Sequence, residues 1–347
     1  MYVKTKLLTA ALIIITLITV TACSRSVDKK PVTKTNFMLD TLVRIQAFGS
    51  NASEAIDKAF NRINDIEKKM TAKADSSEVV EINKRAGEDF YKVSSDTFFV
   101  IKKSLQYSKS SKGKFDITVG PLVKLWGIGT DKARVPALDE IKEALELVDY
   151  NQVELKESEN SVFLRKPGMS IDLGGIAKGY AADEVVKTLR ENGIESGTVD
   201  LGGNIFVLGT KPDGKSWKIG LQNPFDTRGS IFATVEVADK TLVTSGPYER
   251  YFEENGKQYH HILDTYSGFP VENGLMGVTI ISDSSIDADA LSTAVFSLGL
   301  EDGMKFIEAQ KNIDAVFVTI DYGVCTSLGI EKYNFEIIDR QFHIIKK

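Results

Sequence analysis

The tetrapeptide Asp-Leu-Gly-Gly occurs twice in the chain, at 172–175 and at 200–203, and this feature constrains the fold most. Each copy ends a short apolar stretch typical of a strand. Residues 179–192, between the two copies, have the apolar spacing of a helix. The pattern predicts a strand–helix–strand unit with two similar strand ends, rather than a true internal repeat.

The segment SIDLGGIAKGYAADEV, at 170–185, contains the first copy and resembles a phosphate-binding turn. Gly174 and Gly179 frame a G-x-x-x-x-G pattern, but Tyr180 and Ala181 stand where a P-loop has Lys and Ser or Thr. Glycines let the backbone approach a ligand, and the N-terminus of the following helix favours anions. Lys178 would add positive charge. A tight strand-to-helix turn without a ligand fits the same residues.

The rest of the chain mixes strands and helices without regular alternation. Helical periodicity is found at 53–70, 93–110, 139–148, from about 287, and at 301–310, whereas residues 217–245 are rich in strand patterns. Glu254-Asn255-Gly256 predicts a hairpin turn. This order favours an α+β fold, with mixed or antiparallel sheets packed against helices in one compact unit.

The N-terminus has the features of an export signal. Leu7 to Val20 is an almost unbroken apolar run, too short to span a membrane comfortably, and it ends in Val-Thr-Ala-Cys. This resembles a bacterial lipobox. We therefore expect residues 1–22 to be a signal peptide, Cys23 to carry lipid, and residues 23–35 to be a tether outside the cytoplasmic membrane. An uncleaved N-terminal anchor is the alternative.

Composition excludes several kinds of site. A net charge of −5 offers no basic patch, so nucleic acid is not expected as a partner. Two cysteines and three histidines supply no zinc cluster. If Cys23 carries lipid, Cys325 has no disulfide partner, and its apolar flanks indicate a small buried residue.

The helix from about 287 carries the first candidate site residues. Asp289 and Thr293 are four residues apart, so they share one helix face, with Ser292 beside them. One carboxylate and one or two hydroxyls form a partial shell for Mg²⁺, which keeps waters and takes further ligands from substrate phosphates. The alternative is an Asp favoured by the helix dipole and a Thr that faces the core.

Two further segments carry polar residues between apolar neighbours. Asp116 precedes a Gly-Pro turn, which it would stabilise, or it would accept hydrogen bonds from a ligand. His260 and His261 lie in a predicted strand at 258–263, so they face opposite sides. One would enter a cleft as a general base, although a strand histidine is more often structural.

Together these segments resemble the ApbE family of flavin transferases. The resemblance rests on FDITVGPLVKLWG, SIDLGGIAKGYAAD, VDLGGNI, HHILDTYSGFP and DADALSTAVF, and extends from about Met38 to the last strands. It implies a fold related to the T-fold over residues 36–347. It also implies a lipid-anchored enzyme of the bacterial cell membrane, on the extracytoplasmic face.

The activity that the resemblance implies is Mg²⁺-dependent FAD:protein FMN transfer. Such an enzyme cleaves the FAD pyrophosphate, joins FMN through a phosphoester to a Thr or Ser of an acceptor protein, and releases AMP. The acceptor itself is not identified by the sequence. Alternatives are a Mg²⁺-dependent FAD pyrophosphatase that gives FMN and AMP, and a lipid-anchored flavin-binding protein without catalysis.

The resemblance also implies roles for particular residues. For the metal it implies Asp289, Thr293, the carbonyl of Ala177 and the adjacent Ser292, and for the general base His261. The implied FAD-binding residues lie along the whole chain: Met38, Thr71, Ala72, Lys73, Phe115, Asp116, Ile117, Gly175, Lys178 and Leu263.

Three positions depart from the family pattern. Met38-Leu39-Asp40-Thr41 replaces Met-Gly-Thr, Thr71-Ala72-Lys73 replaces Ser-x-Tyr, and Thr265 replaces a proline. The second departure puts ring stacking on the flavin or adenine in doubt. None of the three removes a metal ligand or His261, so an active enzyme is expected.

Overall fold

The computed structural model describes residues 30–345. The predicted signal peptide and Cys23 lie outside the described residues. The first strand begins at Val32 and pairs along its whole length with the second. The prediction that the tether extends to residue 35 is therefore wrong at its end, because residues 32–35 belong to a paired strand.

Strands and helices alternate irregularly along the described chain. The strands are β1 Val32–Met38, β2 Thr41–Phe48, β3 Tyr91–Lys92, β4 Val153–Lys156, β5 Ser161–Leu164, β6 Ser196–Leu201, β7 Asn204–Leu208, β8 Trp217–Gln222, β9 Ile231–Val237, β10 Lys240–Ser245, β11 Tyr251–Glu254, β12 Lys257–His260, β13 Leu275–Ser282, β14 Asp314–Thr319, β15 Gly323–Thr326, β16 Glu336–Ile337 and β17 His343–Ile344. The helices are α1 Ala52–Met70, α2 Glu78–Lys84, α3 Ser95–Ser110, α4 Gly120–Trp126, α5 Leu138–Leu145, α6 Ala177–Glu191, α7 Ser285–Leu298 and α8 Leu300–Glu308.

A nine-stranded sheet organises the fold, in the order β1-β2-β6-β7-β10-β13-β14-β15-β17. Neighbouring strands are antiparallel except β15 and β17, which are parallel. Three small sheets accompany it: β11-β12, β16-β9-β8 and β3-β5-β4. The predicted α+β class is confirmed.

The middle of the large sheet is buried on both faces, as the alternation along β10 illustrates. Leu242 packs with Trp217 and Phe232 of the small β16-β9-β8 sheet, whereas Val243 packs with Leu291 of α7. Successive side chains of a strand point to opposite faces, so the helices cover one face and the small sheet the other.

The predicted helices agree with the observed ones to within about three residues, because long amphipathic patterns are strong signals. The hairpin turn at Asn255 and Gly256 is also confirmed, with φ of 54° and 74° between β11 and β12. His261 lies just after β12 rather than inside the predicted strand. No helix within residues 30–345 is long and apolar enough to cross a membrane.

Candidate active site

A cavity of about 410 Å³ opens where both Asp-Leu-Gly-Gly turns meet the N-terminal end of α6. Asp172, Gly174, Gly202 and Gly203 all lie in its wall. The prediction of two similar strand ends is wrong for the first copy, because β5 ends at Leu164 and residues 171–175 belong to no strand, whereas the second copy ends β6. Both turns nevertheless bring their backbones to one place. The structure also gathers most of the predicted site residues around this cavity: Thr71, Ala72, Lys73, Phe115, Asp116, Ile117, Gly175, Ala177, Lys178, His261, Leu263, Asp289 and Thr293.

Helices α6 and α7 cross closely at Gly179. A β-carbon there would lie 2.3 Å from the carbonyl oxygen of Ser285 and 2.7 Å from the β-carbon of Asp289. Only glycine permits this approach. From α6, Asp183 accepts hydrogen bonds from the backbone N–H groups of Ser285 (2.8 Å) and Ile286 (2.9 Å), at the start of α7. Burial raises the pKa of Asp183 to about 6. The two helices thus hold each other in register.

Asp289 is buried at this crossing and lines the cavity. Its Oδ2 accepts the backbone N–H of Gly179 at 2.8 Å, which satisfies one of the free donors in the first turn of α6. Its Oδ1 lies 3.9 Å from Nζ of Lys178. The carboxylate therefore stands at the positive end of a helix, with one oxygen beside a lysine.

Thr293 lies one turn further along α7 and faces the glycine turn. Its Oγ1 would be 3.6 Å from a β-carbon at Gly175. Ser292 does not line the cavity, contrary to the prediction that it contributes to the metal site. Its hydroxyl donates to the Asp289 carbonyl (2.9 Å) and is bonded to the Ser245 hydroxyl (2.8 Å).

These residues fit Mg²⁺ better than a softer metal. They offer a carboxylate, a hydroxyl and the main chain of Ala177, all of them hard oxygen donors. No group of three or more His, Cys, Asp or Glu side chains able to hold a metal occurs among the described residues. A partial oxygen shell suits an ion that keeps waters and takes further ligands from a phosphate.

His261 lies at the cavity, half-buried, with its Nδ1 3.2 Å from the carbonyl oxygen of Arg250. A carbonyl only accepts, so this contact places the ring proton on Nδ1 and leaves Nε2 with a lone pair. Removal from water, and then the positive charges of Arg250 and Lys178, lower the pKa of His261 to about 3. The imidazole is therefore neutral near pH 7, as a proton acceptor must be.

His260 has a structural role. It is buried, its Nε2 lies 2.9 Å from the Val271 carbonyl, and its Nδ1 accepts the N–H of Ile262. Both ring nitrogens are occupied, and of the two histidines only His261 lines the cavity.

The loop that follows His261 is tied to the loop that carries Phe115. Lys114 and Asp264 form an ion pair at 2.8 Å, and the Thr265 hydroxyl donates to the Gly113 carbonyl at 2.6 Å. Proline has no hydroxyl, so the departure at Thr265 adds a bond that the family's usual residue lacks.

Asp116 and Met38 have different surroundings from those predicted. Asp116 lines the cavity, but its oxygens accept from the N–H and hydroxyl of Thr118 and from the N–H of Tyr150. Burial raises the pKa of Asp116. It therefore stabilises a turn, the alternative that the sequence left open. Met38 is buried in the core and does not line the cavity, whereas Leu39 does.

Leu39 and Asp40 form the two-residue turn between β1 and β2, with φ of 53° and 56°. Such turns favour Asn or Gly, so two residues with larger side chains here are costly. The Glu67 carboxylate accepts the N–H of Leu39 at 2.9 Å, and Lys73 pairs with Asp40 at 2.6 Å. These contacts hold the Leu39-Asp40 turn, which departs from the Met-Gly-Thr pattern, in place at the cavity wall.

Sequence reasoning missed several polar residues of the cavity, including Asn204, Arg228 and Arg250. Arg228 lies in the loop before β9, and Arg250 directly precedes β11. Isolated arginines in loops carry no local signal. Asn204 did have a local sequence signal, because it directly follows the second Asp-Leu-Gly-Gly.

Comparison with known proteins gives consistent results. The model of the ApbE family matches residues 39–317. The FAD:protein FMN transferase of Klebsiella pneumoniae (strain 342) is 38% identical over 288 residues, which are 83% of this chain and 89% of that protein. The FAD:protein FMN transferase of Treponema pallidum (strain Nichols) is 35% identical over 338 residues, 92% of this chain and 93% of that protein.

Solved structures resemble this fold closely. The crystal structure of the ApbE protein from Thermotoga maritima superposes with a TM-score of 0.81 and 32% identity, covering 88% of this chain and 99% of that one. The flavin transferase ApbE from Vibrio cholerae gives a TM-score of 0.79 and 26% identity, with the same coverage.

Proposed function

This chain belongs to the ApbE family, and from that premise we propose that it is a Mg²⁺-dependent FAD:protein FMN transferase. The observation that carries the proposal is the meeting of His261 with Asp289 and Thr293 in one cavity. A neutral base and a set of hard oxygen donors are the two parts that transfer of a phosphoryl group to a hydroxyl requires.

Asp289, Thr293 and the carbonyl of Ala177 would hold Mg²⁺. When bound, the ion supplies neutralisation of charge on the pyrophosphate and on the leaving AMP. Lys178, 3.9 Å from Asp289, adds a second positive charge at the same place. The glycine turns at Gly174 and Gly203 let the backbone approach the anionic substrate closely.

His261 would accept the proton of the acceptor's Thr or Ser hydroxyl at Nε2, because Nδ1 is held by the Arg250 carbonyl. The hydroxyl oxygen then forms a bond to the phosphorus atom of the FMN half. The bond from that phosphorus to the bridging oxygen breaks, and AMP leaves with the bridging oxygen. Phosphoryl transfer depends mainly on such positioning and on charge neutralisation.

Binding of the substrate would change the basicity of His261, because charged residues lie around it. Burial, and then the charges of Arg250 and Lys178, lower the pKa of His261 in the free protein. A bound pyrophosphate would offset the two positive charges and so raise the pKa. The base would therefore become stronger when FAD is present.

The test uses the protein with FAD, Mg²⁺ and a secreted acceptor that carries a flavinylation-type Thr. A fluorescent band on a denaturing gel is expected, and EDTA or Asp289→Ala should abolish it. AMP and FMN accumulating without a band would instead indicate a pyrophosphatase. Binding of FAD without release of AMP would leave only a flavin-binding protein.

We further propose that lipid on Cys23 anchors the protein to the outer side of the cytoplasmic membrane. Support comes from the Val-Thr-Ala-Cys sequence after the apolar run. Cys23→Ser should move the protein from the membrane to the soluble fraction; unchanged membrane association would contradict lipidation.

A further inference from the structure

Asn204 is a buried amide in the cavity wall that the mechanism above does not use. It begins β7, directly after the second Asp-Leu-Gly-Gly turn, and only 1% of its surface is exposed. Its Oδ1 accepts the Ser285 hydroxyl at 2.7 Å. Its Nδ2 has no hydrogen-bond partner within residues 30–345.

The contact with Ser285 fixes where this amide lies. Ser285 begins α7, and Asp289 lies four residues on, so the two share one face of the helix. The Ser285 hydroxyl is also bonded to the Thr241 hydroxyl at 3.1 Å. Asn204 is therefore held one helical turn from Asp289, beside the part of the cavity that would receive the pyrophosphate.

An unpaired buried N–H is unusual, since most buried polar groups in folded proteins have a partner. Leaving such a donor without an acceptor destabilises the protein, and an apolar side chain of similar size would avoid that cost. Asn204 lines the ligand cavity, and a ligand oxygen that reached the shielded Nδ2 would restore the missing hydrogen bond. The chemistry of Nδ2 requires an acceptor, and the oxygens of a diphosphate are strong acceptors.

We propose that Asn204 is a substrate-binding residue whose side-chain N–H donates to an oxygen of the FAD pyrophosphate. The proposal rests on the transferase function proposed above. Ser285 serves as its positioning residue, because its hydroxyl donates to Oδ1 and so fixes the orientation of the amide.

The test measures binding rather than turnover, by titration calorimetry with Mg²⁺ present. ADP represents the diphosphate half of the substrate and riboflavin the flavin half. For Asn204→Ala we expect ADP to bind about ten- to hundred-fold more weakly, the usual effect of losing a hydrogen bond to a charged group. Riboflavin affinity should not change. Asn204→Asp should weaken ADP binding further, because a carboxylate replaces the donor and repels phosphate.

Asn223 offers a matched control. It is also a buried asparagine, but its amide is paired with Asp339 (3.2 Å) and the N–H of Phe225 (2.9 Å), and it does not line the cavity. Asn223→Ala should lower thermal stability and leave ADP affinity unchanged.

Three results would overturn the proposal. The first is wild-type ADP affinity in folded Asn204→Ala, and the second is wild-type affinity in Asn204→Asp. The third is an equal loss of riboflavin binding, which would assign the amide to the flavin. A wild-type protein that binds neither FAD nor ADP would refute the proposed function itself. Titration of the wild type with FAD and ADP, done before the variants, separates that outcome from the three results above.

Discussion

The crossing of α6 and α7 at Gly179 gives a prediction in which two physical effects have opposite signs. Alanine is the better helix former, and Gly→Ala inside a helix gains roughly 1 kcal/mol. At this position, however, the new β-carbon would lie 2.3 Å from the Ser285 carbonyl oxygen and 2.7 Å from the Asp289 β-carbon. The first of these neighbours is backbone and cannot rotate away.

The size of the disturbance follows from these distances. Ordinary contacts begin at 3.4 Å, so the helices must separate by about 1 Å. Overpacking of this kind costs about 1–3 kcal/mol, which offsets or exceeds the gain in helix propensity. The separation also increases the distances from Asp289 to the Gly179 N–H and to Ala177. A misplacement of about 1 Å in an active site reduces the rate on the order of 100-fold.

Gly179→Ala should therefore show no rise in its thermal midpoint and a rate of FMN transfer about 100-fold lower. Thermal unfolding by circular dichroism and in-gel flavin fluorescence measure the two effects. Lys187→Ala, on the exposed side of the same helix, is the control and should be active. A Gly179→Ala protein that is more stable and transfers FMN at the wild-type rate would refute the close crossing as the basis of the site.

Three further predictions concern the cavity. Because burial and then the charge of Arg250 lower the free-protein pKa of His261 to about 3, the acid limb of the kcat/KM pH profile should lie below 6.5, and Arg250→Gln should shift it upward; a wild-type limb at 6.5 would contradict the lowered pKa, and an unshifted limb in Arg250→Gln would contradict the charge effect. Thr265→Val removes the bond to the Gly113 carbonyl and should cost roughly 1 kcal/mol in chemical denaturation, whereas unchanged stability would show that the bond contributes nothing. Asp289→Asn should weaken Mn²⁺ binding, measured by electron paramagnetic resonance, by at least about ten-fold, and wild-type Mn²⁺ affinity would remove Asp289 from the metal site.

The fold was largely predictable because its helices are long and amphipathic. The patterns of α1, α6 and α7 locate them to within about two residues. The repeated Asp-Leu-Gly-Gly predicted two strand ends, but only the second copy ends a strand, β6, and the first copy lies in the loop before α6. A short apolar stretch becomes a strand only where a partner strand is available, and local sequence does not show that partner.

Other features of the site depend on contacts between distant residues. Ser292 and Thr293 both lie about one turn from Asp289, and their directions differ by about 100° around the helix. Only the packing of α7 against Ser245 decides which hydroxyl faces the cavity. Similarly, the tautomer of His261 depends on the Arg250 carbonyl, which a sequence pattern does not indicate.

The central claim is that His261 acts as the base in the cavity that contains Asp289. Its most direct test is to measure AMP release and flavin attachment in the same reaction, for wild type and His261→Ala. In the wild type one AMP should appear for each flavin attached. In His261→Ala both rates should fall by about 10²–10⁴-fold while FAD affinity is retained. Flavin attachment at the wild-type rate in His261→Ala would contradict the account.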